Sequence, residues 1–211
     1  STQVPAADPT KIKATATPVP PELLLATKIK SSVVGITSSK GEGAGFFVDV
    51  DNGRPGASYI LTSYSLAGDD CQVTVQLPPG QPALREPSIR GHVYAKDDDL
   101  DLALIEIGHS TPPSVVWGDG EQLKIGDRVF AFGFNTTHQT PDNLAEGVVK
   151  NLSAGTLSGW ENAIEPPVAF KSAGPEFQGG PILNLDGDVL GINTAHMESP
   201  GETDTGKLQP L

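Results

Sequence analysis

Residues 175–195 read PEFQGGPILNLDGDVLGINTA. The run 183–192 (LNLDGDVLGI) sets two apolar stretches on either side of Asp186-Gly187. That dipeptide favours a two-residue primed turn, so the stretch predicts a β-hairpin. Working outward, apolar and polar residues continue to alternate with a period near two. The runs are SVVGITSS (32–39), GAGFFVDVD (43–51), SYILTSYSL (58–66), QVTVQL (72–77), RGHVYAK (90–96), LDLALIEI (100–107), DRVFAFGF (127–134), EGVVKNLSAG (146–155) and VAFKSA (168–173). Short strands at regular spacing, divided by Gly, Pro, Asp and Asn, predict an antiparallel all-β barrel or sandwich. The expectation is two β-barrels of about six strands each.

Composition supports this reading. Gly (24) and Pro (19) are abundant among 211 residues, which favours turns and short strands over a helical bundle. A stretch of eighteen or more apolar residues, as a membrane-spanning helix needs, does not occur. The formal net charge of −12 makes a nucleic-acid backbone a poor partner. Cys71 stands alone, which excludes an internal disulfide and a cysteine metal cluster.

Residues 1–21 (STQVPAADPTKIKATATPVPP) are dominated by Pro, Thr and Ala without sustained periodicity, as in an extended tether. Pro21 and Glu22 then suit the first turn of a short helix, with Leu23, Leu24, Ile29 and Val33 as its expected inward face. The expected organisation is a tether over 1–21 and one folded domain over 22–211. Its first barrel spans about 33–108 and its second about 118–211.

The order of these runs resembles the protease domain of the HtrA (Deg) family of trypsin-like serine proteases. GEGAGFFVD (41–49) resembles its G-S-G-F/V-I strand, and YILTSYSLAG (59–68) its Y-I-L-T-N-x-H-V-V. KDDDLDLALIEI (96–107) is similar to D-x-x-x-D-L-A-L-L-K-I, and 114–134 to L-G-D-S-x-x-L-x-V-G-D-x-V-x-A-I-G. EGVVKNLSAG resembles V-T-x-G-I-V-S-A, and 175–195 resembles P-G-N-S-G-G-P-L-L-N-x-x-G-x-V-I-G-I-N-T-A. The resemblance implies the chymotrypsin/trypsin-like pair of antiparallel six-stranded barrels. It further implies a chain ending near Leu211 without the PDZ domain that usually follows in this family.

Its catalytic positions can be followed residue by residue. A serine protease needs a nucleophilic hydroxyl, an imidazole base, an orienting carboxylate and oxyanion donors. The resemblance puts the carboxylate on Asp101, the base on Ser65 and the nucleophile on Gln178. A hydroxyl is no general base at neutral pH and an amide is no acyl-transfer nucleophile. Glu176 and Phe177 replace the Gly and Asn of the oxyanion loop. The implied expectation is therefore a degenerate fold that is not an enzyme, with no catalytic residues, cofactor or metal. Its role would be that of a protein-binding or assembly subunit. Alternatives are a peptide sensor using the old cleft, or a residual serine-type hydrolase.

The remaining candidates are fewer. Trp160 and Phe177, aromatic residues in loop-like stretches, are expected partner contacts. Trp117 is expected to pack, and His92, His109, His138 and His196 to be strand-surface or loop residues. The acidic run 97–101 (DDDLD) lacks the Gly and Glu of a calcium loop and reads as a solvated turn. The expected partners are proteins, in a membrane-associated complex outside the cytoplasm. Contact with a membrane is expected only through an anchor preceding Ser1.

Overall fold

The strands that read as unbroken apolar runs do so because both of their faces are buried. A computed structural model of the chain describes residues 21–50, 54–69, 72–79, 88–108, 113–149, 162–165, 175–194 and 207–209. Strands β1 (Val33–Thr37), β2 (Glu42–Val48), β3 (Ser58–Ser63), β4 (Val73–Gln76), β5 (Ser88–Asp97) and β6 (Leu102–Ile107) close an antiparallel barrel in the order β1-β2-β3-β6-β5-β4. Strands β7 (Arg128–Asn135), β8 (Thr140–Val149), β9 (Asn162–Glu165), β10 (Pro181–Leu183), β11 (Val189–Thr194) and β12 (Lys207–Gln209) close a second one in the order β7-β8-β9-β12-β11-β10. The two windings are the same. The expectation of two six-stranded antiparallel barrels with a short N-terminal helix holds.

Alternation distributes the side chains among three clusters. Val34, Ile36, Phe47, Ile60, Val75, Ile105 and Ile107 fill the first barrel. Val129, Ala131, Val149, Ile182 and Leu190 fill the second. The intervening residues of the same strands, Val33, Phe46, Leu61, Phe130, Phe132, Phe134, Leu183 and Ile192, join one cluster to which both barrels contribute. The barrels are thus held by a packed apolar layer, and each fully buried Leu, Ile or Phe in it adds about 1.5–3 kcal/mol. The 113–119 connection is stitched to both sides: Val115 N donates to Phe47 O (2.9 Å) and Gly118 N to Val189 O (2.8 Å). Trp117 bridges Val189 and meets Phe46 edge-on at 6.1 Å while remaining 45% exposed, so it packs along one edge only.

Helix α1 (Pro21–Ile29) begins where Pro21 and Glu22 predict. Its inward face differs from the expectation. Leu25 and Ile29, four residues apart, are buried in the shared cluster, whereas Leu23 and Leu24 are 58% and 59% exposed and Val33 belongs to β1. Polar ties accompany that burial: Lys28 Nζ reaches Asp188 Oδ1 (2.8 Å) and Asp186 O (2.7 Å), and Glu22 pairs with Arg128 (3.1 Å).

The hairpin at Asp186-Gly187 is present, but its turn is not primed. Gly187 N donates to Asn184 O (3.1 Å), and of these residues only Gly187 has a left-handed φ (+78°). Asn184 Oδ1 accepts from both Asp186 N and Asp188 N (2.9 Å each), which supports a three-residue loop ending in a left-handed glycine. Among the described residues no helix is long and apolar enough to cross a membrane. The 1–20 part of the tether, Cys71, His109, Trp160, His196 and the run 168–173 lie outside the described residues.

Candidate functional site

Ser65 and Asp101 come together because β3 and β6 are paired. Their register runs from Ser58↔Ile107 to Ser63↔Leu102, so the end of β3 meets the start of β6. Beyond Ser63 the chain folds into one helical turn, α2 (Tyr64–Ala67), whose Leu66 and Ala67 are buried in the first barrel. Tyr64 N donates to Asp101 O (3.0 Å). Ser65 N donates to Asp101 Oδ1 (2.6 Å), and Ser65 Oγ donates to Asp101 Oδ2 (2.9 Å). Asp101 closes the turn after Asp97, which accepts from Leu100 N (2.9 Å), so the acidic run is indeed an exposed turn up to its last member. Asp101 itself is only 9% exposed and has φ +54°, a left-handed conformation that Asp tolerates better than most residues.

Gln178 arrives from the second barrel. Residues Pro175–Phe177 form a single 3-10 turn ahead of β10, and Gln178 N donates back to Pro175 O (3.0 Å). Its side-chain Nε2 donates to Ser65 Oγ at 3.0 Å. The three positions therefore form one chain of hydrogen bonds, Gln178 amide to Ser65 hydroxyl to Asp101 carboxylate, across the seam between barrels. Among the described residues no imidazole enters this cluster. His92 is an exposed residue of β5 and His138 an exposed residue of the β7–β8 turn, as expected for both.

Backbone bonds pin the Gln178 loop on both sides. Ala44 N donates to Gln178 O (2.7 Å), Gly179 N to Asn193 O (2.7 Å), Gly180 N to Phe177 O (3.0 Å), and Asn193 Nδ2 to Phe177 O (3.0 Å). The amides of Gln178, Gly179 and Gly180 are thus all committed to carbonyls. Gly179 has φ +76°, and a Cβ there would lie 2.2 Å from Thr62 Oγ1 and 2.4 Å from Ala44 O. At Gly43 a Cβ would lie 2.6 Å from Gln178 O. Only glycine lets the loop approach β2 and β3 this closely.

Phe177, expected as an exposed partner contact, is instead a buried residue. It is 7% exposed and packs with Val129, Ala131, Val149, Ile182 and Leu190 inside the second barrel. The 3-10 turn buries the large apolar ring where a loop would have exposed it. Glu176, its neighbour, is half-buried and lines a cavity instead. Beside the first-barrel half of the site, Lys96 lies 4.4 Å from the Tyr64 ring centroid, donates to the Tyr64 hydroxyl (2.8 Å) and bonds Asp69. That ammonium, with the help of Tyr64, holds the Asp69 carboxyl below the usual carboxylate range.

Residues 43–192 match the family described as trypsin-like peptidase domain. A probable periplasmic serine endoprotease, DegP-like, of Chlamydia pneumoniae is 30% identical over 159 residues, covering 75% of this chain and 30% of that protein. The periplasmic pH-dependent serine endoprotease DegQ of Escherichia coli is 27% identical over 170 residues, covering 79% of this chain and 34% of that protein. The chain thus spans about a third of the length of the curated relatives it matches. The crystal structure of Deg5 superposes with a TM-score of 0.63 at 26% identity, covering 83% of this chain and 84% of that one. These findings bear out the HtrA-type resemblance. They overturn the expectation that the chain is not an enzyme: its relatives are named serine endoproteases and the matching family is a peptidase family, which points to a protease.

Proposed function

We propose, because the chain belongs to the trypsin-like peptidase domain family, that its seam between the barrels holds an extended stretch of polypeptide, and that the domain serves as the polypeptide-binding part of a protein assembly. One observation carries this reading: the closed Gln178–Ser65–Asp101 chain of hydrogen bonds. It presents the Gln178 amide, with donor and acceptor capacity, and the Ser65 hydroxyl oxygen, whose one O–H is given to Asp101 and which keeps acceptor capacity, where a protease-type cleft meets substrate backbone. The periplasmic relatives support a location outside the cytoplasm, and the composition of residues 1–21 supports a tether to an anchor or neighbouring protein.

The experiment is a titration of a labelled, unstructured peptide against the wild-type protein and Gln178→Ala, read by fluorescence anisotropy. Removing a hydrogen bond to a neutral partner costs about 0.5–1.5 kcal/mol, a roughly two- to twelvefold weaker Kd. Equal binding by the two proteins, or none by either, sinks the reading.

Serine-type hydrolysis is the second reading, favoured by the relatives' names and by the 2.9 Å bond from Ser65 Oγ to Asp101 Oδ2. In it Ser65 Oγ attacks the carbonyl carbon and its proton passes to Asp101, then to the leaving amine; water releases the acyl group. The step requires an amide of the 175–180 segment to leave its present carbonyl partner and meet the oxyanion. A fluorophosphonate probe adduct mapped to Ser65, lost in Ser65→Ala, is the expected result; labelling elsewhere or nowhere removes it.

A further inference from the structure

A cavity of about 280 Å³ opens beside the seam, and its wall is partly the same backbone that carries Gln178. It is lined by Glu42 at the start of β2, by Asn135 and Thr136 where β7 turns into β8, by Asn143 of β8, and by Glu176 of the 3-10 turn. Two acidic residues from different barrels line this space, and its described lining carries no basic side chain. The Glu42 carboxylate is oriented from within the wall, since Thr136 Oγ1 donates to its Oε2. Asn135 Oδ1 accepts from His138 N (2.9 Å), which fixes the turn that forms the opposite side.

Small-molecule pockets run to about 300–1,000 Å³. This cavity falls just below that range and suits one long side chain. Its position relative to Gln178 is set from both walls. Glu176 precedes Gln178 by two residues within a turn closed by Gln178 N to Pro175 O. Glu42 adjoins Gly43, whose backbone packs against Gln178 O, and Ala44 N donates to that same oxygen. A chain lying along the seam at Gln178 therefore delivers a side chain to the cavity.

We infer that this cavity is a specificity subsite that takes a lysine or arginine side chain of the bound polypeptide, with Glu176 and Glu42 accepting from its cationic head. The inference rests on the polypeptide-binding reading above and deepens it by naming the sequence feature selected. The stem of such a side chain tolerates partial burial while its charged head keeps polar company, and the amide and hydroxyl lining supplies that company. The cost of inserting it is low because the carboxylates come from a rigid strand and a pinned turn.

The test uses fluorescein-labelled ten-residue peptides of Ala, Ser and Gly in which one Lys is moved position by position. An otherwise identical series carries uncharged norleucine. Anisotropy titrations are run on the wild-type protein and on the Glu176→Gln, Glu42→Gln and Glu121→Gln variants. At one or two adjacent positions Lys should bind about three- to fivefold more tightly than norleucine at low salt, as exposed charge pairs allow. The advantage should shrink in 0.5 M salt. It should disappear in Glu176→Gln, fall in Glu42→Gln, and persist in Glu121→Gln, a remote exposed acid. Norleucine peptides should bind Glu121→Gln as they bind wild type, and circular-dichroism melting curves of all four proteins should coincide, which shows that the variants are folded.

A Lys advantage that is uniform along the peptide reflects only the net charge of −12 and overturns the subsite. So does an advantage that survives in both Glu176→Gln and Glu42→Gln. If norleucine peptides bind and Lys confers nothing, the subsite fails while polypeptide binding stands. If neither series binds, both readings fall.

Discussion

Replacing Asp101 by Asn, Gly and Ala separates two contributions that the structure combines at one residue. The carboxylate accepts from Ser65 N at 2.6 Å and from Ser65 Oγ at 2.9 Å, and the backbone sits at φ +54°. Hydrogen bonds to a charged acceptor contribute about 1.5–3 kcal/mol each, with the lower end fitting Ser65, which water partly reaches. Asn keeps an oxygen for Ser65 N and tolerates the left-handed backbone, so it loses one charged bond, about 1–2 kcal/mol. Gly loses both bonds and adds no steric strain on the backbone, about 2–4 kcal/mol. Ala loses both and adds the left-handed penalty of about 1–2 kcal/mol, reaching about 3–6 kcal/mol. For a chain of this length each kcal/mol moves Tm by about 2–4 °C. Differential scanning calorimetry at pH 7 should therefore order the proteins wild type, Asn, Gly, Ala. Equal melting of Gly and Ala would refute the backbone argument, and an Asn variant as unstable as Ala would refute the hydrogen-bond argument.

Gly179→Ala should cost about 2–5 kcal/mol, since it combines a left-handed Cβ with collisions against Thr62 Oγ1 and Ala44 O; a urea midpoint within error of wild type would contradict the tight seam. Leu25→Ala should lose about 2–5 kcal/mol by emptying a place in the shared cluster. Leu24→Ala should stay within about 0.5 kcal/mol, and the same urea titration compares them. Arg128 holds the Glu146 carboxyl below the usual range, so the pair's contribution is present above the ordinary glutamate pKa of about 4.3 and is lost as pH falls through the lowered value. Both side chains are about two-fifths exposed, so solvent screening keeps the contribution small; Glu146→Gln should unfold slightly earlier than wild type at pH 7 and indistinguishably at pH 2.

Much of the fold was legible because buried strands leave a dense record. In β7 the residues Val129 and Ala131 enter one barrel while Phe130, Phe132 and Phe134 enter the shared cluster, so each of these five positions is constrained to be apolar. Strands without that double burial were harder to read. β8 starts at Thr140, yet Pro141, Asp142 and Asn143 are poor strand formers and masked its first half, so that run was read only from residue 146. β9 and β12, of four and three residues, are too short for a period of two to show. On α1 the triple Leu23-Leu24-Leu25 offers no periodic choice of face. That choice is set by the burial of Leu25 and Ile29 in a cluster built from distant strands, and it brings Lys28 to Asp188, 160 residues away, and Glu22 to Arg128, 106 away.

The site divides along the same line. Its positions were readable because each lies inside a run whose register the barrels enforce: Ser65 follows β3, Asp101 precedes β6, and Gln178 precedes β10. Its interactions were not readable, since the bonds that matter join residues 36 and 113 positions apart. Residue type alone says that an amide, a hydroxyl and a carboxylate replace another set of groups; only the register across the seam closes them into one chain of donors and acceptors. The same turn that delivers Gln178 also decides where its two preceding residues go. By winding Pro175–Phe177 into a 3-10 turn it sends Phe177 into the second barrel and leaves Glu176 at the cavity, so the charged neighbour, not the aromatic one, lines the open space beside Gln178.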